Sequence, residues 1–89
     1  MRKTYEAVLK KYLHDKIVTD RKNHNLIQEK MAELLLMDLR SYADIEHGKH
    51  MCGTLTFTIY LLEFCDDPKQ MLNEIEQLFA AAREDEYEK

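Results

Sequence analysis

LIQEKMAELLLMDLRSYADIEHGK, residues 26–49, decides the fold. Gln28 to Leu35 consists of helix-forming residues, with Met31 and Leu35 four apart on one face. Asp38 is a good N-cap for a following helix that ends at His47, and Tyr42 and Ile45, three apart, share its inner face. Gly48 then stands where a glycine closes a helix in the left-handed conformation. The stretch therefore reads as two short helices joined by a tight corner near Leu36.

Upstream, Thr4 can cap a first helix in which Tyr5, Val8, Leu9, Tyr12, Leu13 and Ile17 recur at helical spacing, running to about Lys22. Asn25 suits the left-handed position that ends it. Downstream, TLTFTIYLLEF (residues 54–64) alternates polar and apolar residues with β-branched threonines, a strand pattern. No second strand is evident to pair with it, and an isolated strand leaves backbone groups unsatisfied. Read as a helix, the same residues put Leu55, Ile59 and Leu62 together, with Phe57, Leu61 and Phe64 nearby, and helix is the expectation. Asp67, Pro68 and Gln70 supply a cap, an N1 proline and an N3 glutamine for a last helix over about 68–84. Met71, Leu72, Ile75, Leu78 and Phe79 form its apolar stripe, and the charged end beyond Ala80–Ala82 is expected to fray.

Eighty-nine residues with two glycines and one proline make a single helical domain over 1–89. No apolar run reaches the roughly 18 residues of a membrane span, and no signal-peptide pattern follows Met1, so the expectation is a soluble, cytoplasmic chain with no membrane partner. The net charge is −4, unevenly spread. Arg2, Lys3, Lys10, Lys11, Lys16, Arg21 and Lys22 make the front basic, whereas Glu74, Glu76, Glu84, Asp85, Glu86 and Glu88 make the back acidic. Such a gradient orients an electrostatic surface even on an acidic protein. His47, His50, Cys52 and Cys65 lack the paired close spacing of structural zinc sites, so Cys52 and Cys65 read as reduced, half-buried thiols and neither metal nor cofactor is expected. No Cys/His pair has nucleophile spacing and no glycine-rich phosphate loop is present. An enzyme is not expected.

Leu26, Gln28-Glu29, Met31-Ala32-Glu33, Leu35, Ser41, Ile45-Glu46, Gly48 and Lys49 stand together in register. With them, Arg21 to Phe79 resembles the phage repressor/Cro-like helix-turn-helix family, also called the xenobiotic response element family. The resemblance implies an all-α, five-helix repressor-like bundle, here with an extended first helix and a helix-turn-helix core over about 26–48. It further implies a sequence-specific transcriptional regulator that binds double-stranded DNA in the major groove as a homodimer on a two-fold operator.

Carried over by position, the implied DNA-binding residues are Gln28, Leu39, Arg40, Ser41, Asp44, Lys49 and His50. Gln28 would hold a phosphate at the start of the second helix. Leu39, Arg40 and Asp44 would face base edges. Arg40 is the strongest of these, because a guanidinium bonds guanine O6 and N7 together. Lys49 and His50 would meet the DNA backbone. Arg21 and Glu46 match an ion pair that ties the first helix to the end of the third. The chain departs from the family at Leu36, where the corner usually has glycine, and at Ile27, which replaces the usual Ser/Thr cap. Asp38 and Asp44 also bring negative charge near the reading helix. The alternative is a non-catalytic protein-interaction module on the same fold, antitoxin-like or a co-regulator, using the acidic surface and the apolar last two helices.

Overall fold

Apolar residues recurring every three or four positions organise the computed structural model, which describes residues 1–88 and their side chains through Asp85. Among the described residues there are five helices and no strand: α1 (Arg2–Asn23), α2 (Gln28–Leu34), α3 (Leu39–Glu46), α4 (Thr54–Phe64) and α5 (Pro68–Glu88). Residues 54–64 are helical, as an unpaired strand would have been costly. No helix among the described residues is long and apolar enough to cross a membrane.

One core draws on all five helices. Ile17 of α1, Met31 and Ala32 of α2, Leu35 just after it, Tyr42 and Ile45 of α3, Tyr60 of α4 and Met71 of α5 are all buried. Each of the larger side chains contributes about 1.5–3 kcal/mol by leaving water. On α4 the inner face is not the expected one. Tyr60 is buried, with Phe57, Leu61 and Phe64 partly so, whereas Leu55 and Leu62 are 70% and 81% exposed. Tyr60 wins the inner position because its ring packs on Phe64, while its hydroxyl finds a partner by donating to the Asp20 carboxylate of α1. A tyrosine can occupy a core only where its hydroxyl is satisfied.

Three successive helices stop by one device. Asn25 (φ 56°), Leu36 (φ 57°) and Gly48 (φ 74°) all adopt the left-handed conformation. At each stop the left-handed residue donates its N–H to the carbonyl three residues back, and the next residue donates to the carbonyl five back. Leu36 N to Glu33 O (3.1 Å) and Met37 N to Ala32 O (3.0 Å) are the pair at the corner. This satisfies helix-end carbonyls that would otherwise lack partners. Leu36 thus keeps the turn that glycine usually makes and bears its strain, roughly 1–2 kcal/mol for a residue with a Cβ. The conformation turns its side chain outward, 77% exposed.

Of the helix starts, only the first differs from expectation. Thr4 lies inside the first turn, since α1 begins at Arg2 and Tyr5 N donates to Met1 O. Asp38 caps α3 through Ser41 N (3.2 Å), and Asp67 caps α5 through Gln70 N (3.1 Å). Ile27 provides no side-chain cap to α2. The last helix does not stop near residue 84 but continues to Glu88. Its outer half has something to pack on. Tyr5 of α1 stacks on Phe79 at 4.3 Å between ring centroids, and Arg83 Nη1 donates to the Tyr5 hydroxyl (3.0 Å). Nearer the core, Tyr12 donates to Glu74 and Lys16 pairs with Glu74 (3.3 Å). Low numbers in α1 meet high numbers in α5, so the two long helices run antiparallel.

Candidate nucleic-acid interface

Glu46, in the last turn of α3, is the organising group. It is 8% exposed, and a buried carboxylate is costly unless its oxygens accept hydrogen bonds. Here they accept four. Arg21 donates from Nε to Oε2 (2.5 Å) and from Nη2 to Oε1 (3.2 Å), Gln28 Nε2 donates to Oε1 (2.8 Å), and the Tyr42 hydroxyl donates to Oε2. Burial by itself pushes the Glu46 carboxyl up, but the bonds from Arg21, Tyr42 and Gln28 outweigh it and hold it below its usual range. Burial raises the Tyr42 phenol, and its bond to Glu46 raises it further. Arg21 also donates from Nη1 to Leu26 O (3.0 Å). One carboxylate therefore joins α1, the loop after it, the first residue of α2 and the end of α3. The Arg21–Glu46 ion pair that the family resemblance implies is present.

Gln28 is placed differently from a phosphate ligand. Its side-chain amide is turned inward onto Glu46, so its role in the structure is to steady α2 against α3. The spacing of Tyr42 and Glu46, four apart on one helix, was a legible sign that the tyrosine would join the network. The contribution of Gln28 was not, because it depends on how α2 crosses α3.

Leu39, Arg40 and Ser41 occupy the first turn of α3 and are exposed, Leu39 at 42%. Among the described residues Arg40 has no ion pair, which leaves its guanidinium open to a ligand. The two aspartates that look obstructive in the sequence are both engaged. Asp38 caps the helix, and its carboxyl is held low first by the hydrogen bond from Ser41 and, more weakly, by the nearby charge of Arg40. Asp44 is flanked by Lys49 Nζ and His50 Nε2, each at 3.9 Å. These contacts are long and the Lys49 and His50 side chains are largely exposed, so both face solvent while Lys49 offsets the aspartate charge.

Two further cations belong to the same surface, beyond those the resemblance implies. Lys3 and Lys10 of α1 line a shallow concavity together with Lys49, His50 and Met51 from the loop after α3. Glu6 is its acidic member, and that carboxylate is paired with Arg2 at 3.2 Å. The seven-residue spacing of Lys3 and Lys10 puts both on one helix face. Their approach to Lys49 is a tertiary fact that no spacing reveals.

Cys52 and Cys65 are unpaired and half-buried. Burial raises the Cys52 thiol, which keeps it protonated. Among the described residues no cluster of histidine, cysteine or carboxylate side chains could hold a metal ion. Compared with known proteins, the chain matches no family model, no curated protein and no solved structure.

Proposed function

We propose that this chain is a repressor-like helix-turn-helix protein that binds double-stranded DNA, presenting α3 to the major groove and acting as a sequence-specific transcriptional regulator. The observation that carries the reading is the four-donor clamp on Glu46. It fixes the end of α3 against α1 and α2, while the first turn of α3 stays exposed and carries an unpaired arginine. A reading helix needs that combination: a rigid mount and a free face. Lys49 and His50, beyond its far end, are hydrogen-bond donors suited to contacts with the phosphate backbone, which position a protein without specifying sequence. Arg40 is the residue for base readout, Leu39 offers an apolar contact for a thymine methyl, and Ser41 adds a hydroxyl.

Binding of labelled duplexes from the neighbouring genomic DNA, followed by electrophoretic shift or anisotropy, tests this. A salt-sensitive complex at micromolar protein is expected, and Arg40→Ala should weaken the preferred duplex by about 1–3 kcal/mol while hardly changing binding to unrelated DNA. No salt-sensitive complex with any duplex would overturn the reading.

A second reading has its own observation. Leu55 and Leu62 of α4 and Leu72 of α5 are 70%, 81% and 65% exposed, more large apolar surface than the core of an 89-residue chain requires outside. This favours a protein contact on α4 and α5, either a second copy in a two-fold dimer or a different protein. Sedimentation of the purified chain at micromolar concentration separates these: a dimer supports the operator-binding homodimer, and a monomer that copurifies with a stoichiometric partner supports the interaction module.

A further inference from the structure

We infer that the concavity between α1 and the α3–α4 loop is a second DNA-contacting station, in which Lys3 and Lys10 hold backbone phosphates beyond the reach of α3. The inference rests on the DNA-binding reading above and adds to it a site on the extended first helix. Lys3, Lys10, Lys49 and His50 line this concavity together with Glu6, Ala7 and Met51.

The charge arithmetic singles the place out. The whole chain carries −4, yet this patch gathers three lysines and a histidine around one glutamate. That glutamate, Glu6, is already paired with Arg2 (3.2 Å). Lys49 and His50 have only long contacts, 3.9 Å each, to Asp44. Lys3 and Lys10 have no ion pair among the described residues. Of the other lysines of α1, Lys11 is paired with Asp15 (3.2 Å) and Lys16 with Glu74 (3.3 Å), while Lys22, at the far end of the helix, stands outside the concavity. Lys3, Lys10 and Lys49 thus present ammonium groups that no carboxylate among the described residues engages closely, which suits them to an external anion.

The ligand chemistry follows from the shape. Lysine ammonium groups act as point charges toward phosphate and have none of the planar recognition that reads bases. Lys3 and Lys10 are two helical turns apart, about 10 Å along the axis, a span suited to phosphates spaced along a strand rather than to a single small anion. Lys49 and His50 belong at once to this concavity and to the end of α3, so the station is continuous with the surface assigned to the reading helix. It adds affinity without sequence preference, and it does so through counterion release.

Titrating DNA over a range of salt concentrations tests the inference with the full chain. The paired variant Lys3→Gln with Lys10→Gln removes both charges and shortens two exposed or partly exposed side chains, and circular dichroism confirms its fold. For duplex DNA the slope of log K against log salt should fall by about 2, close to 0.9 for each phosphate no longer neutralised. Affinity should drop by the same factor for preferred and unrelated duplexes. The Arg40→Ala protein serves as the contrast, losing preference between duplexes and at most one unit of slope. An unchanged slope in the lysine variant, with wild-type DNA binding intact, overturns the second station alone. Absence of wild-type binding overturns the DNA reading itself and the station with it. A slope change confined to the preferred duplex also overturns the inference, because it would make the lysines readers of sequence.

Discussion

The two ends of α1 are held by different physics. Near its C-terminal end, Arg21 enters a network in which every oxygen of a buried carboxylate is satisfied, and Asp20 receives the hydroxyl of the buried Tyr60. Toward its N-terminal end, here called the arm, the grip on α5 is an aromatic stack of Tyr5 on Phe79 and an exposed polar contact from Arg83 to Tyr5. Exposed ion pairs contribute little, whereas a buried carboxylate stripped of its donors is costly. The contrast separates geometry from adhesion. The network end sets where α3 points, and the arm end decides how firmly the long helices stay zipped.

Breaking the network is the largest perturbation available. Glu46→Ala leaves the Arg21 guanidinium, 15% exposed, without its main acceptor, and should cost about 3–5 kcal/mol in a denaturant titration. The same group makes stability depend on acid. Its folded-state carboxyl is held below the usual range, so the stabilisation is complete above the unfolded glutamate value of about 4.3. It is lost as pH falls through the lower folded value. Stability measured from neutral pH downward should therefore drop in that window, and Glu46→Gln should flatten the drop while lowering stability at neutral pH. An acid limb of unchanged steepness in Glu46→Gln would break the assignment of this network as the main buried charge.

The arm should respond more weakly and locally. Phe79→Leu keeps an apolar side chain but removes the ring stack with Tyr5, a loss of about 0.5–1.5 kcal/mol. Amide exchange should speed up in the first two turns of α1 and the outer half of α5, while protection around Tyr42 and Ile45 stays as it was. Equal loss of protection at both ends would show that α1 unfolds as one unit and would remove the distinction between them.

The smallest expected change is a gain. Leu36→Gly relieves the left-handed strain at the corner between α2 and α3, offset in part by the greater freedom of glycine in the unfolded chain. A net stabilisation of about 0.5–1 kcal/mol in thermal unfolding is expected, since the Leu36 side chain faces solvent and its removal takes little from the core. A destabilisation instead would mean that the leucine side chain is used by something bound there.

Much of this was legible from residues alone. Met31 and Leu35, Tyr42 and Ile45 are buried as their spacing required, and Asn25 and Gly48 take the left-handed positions that their side chains favour. Asp38 and Asp67 cap as expected, because capping is a matter of a few consecutive residues. The departures from expectation share a cause. The inner face of α4, the continuation of α5 to Glu88 and the inward turn of Gln28 all depend on partners distant in sequence: Asp20 for Tyr60, Tyr5 for Phe79 and Arg83, and Glu46 for Gln28.

At the candidate interface the same division holds. The exposure of Arg40 follows from the placement of Tyr42 and Ile45 on the opposite side of α3, which local periodicity dictates, and Leu39 is exposed as the first residue of the helix. The partnership of Asp44 with Lys49 and His50 follows from the turn at Gly48, again a local matter. Helix positions, their stops and the burial stripe were set by short-range chemistry along the chain, where steric and hydrogen-bonding rules act over three to five residues. The four-donor clamp on Glu46 and the meeting of Lys3 and Lys10 with Lys49 required the packed bundle. Those groups come from helices and loops separated by tens of residues, and only packing of the helices around the buried core brings them within reach.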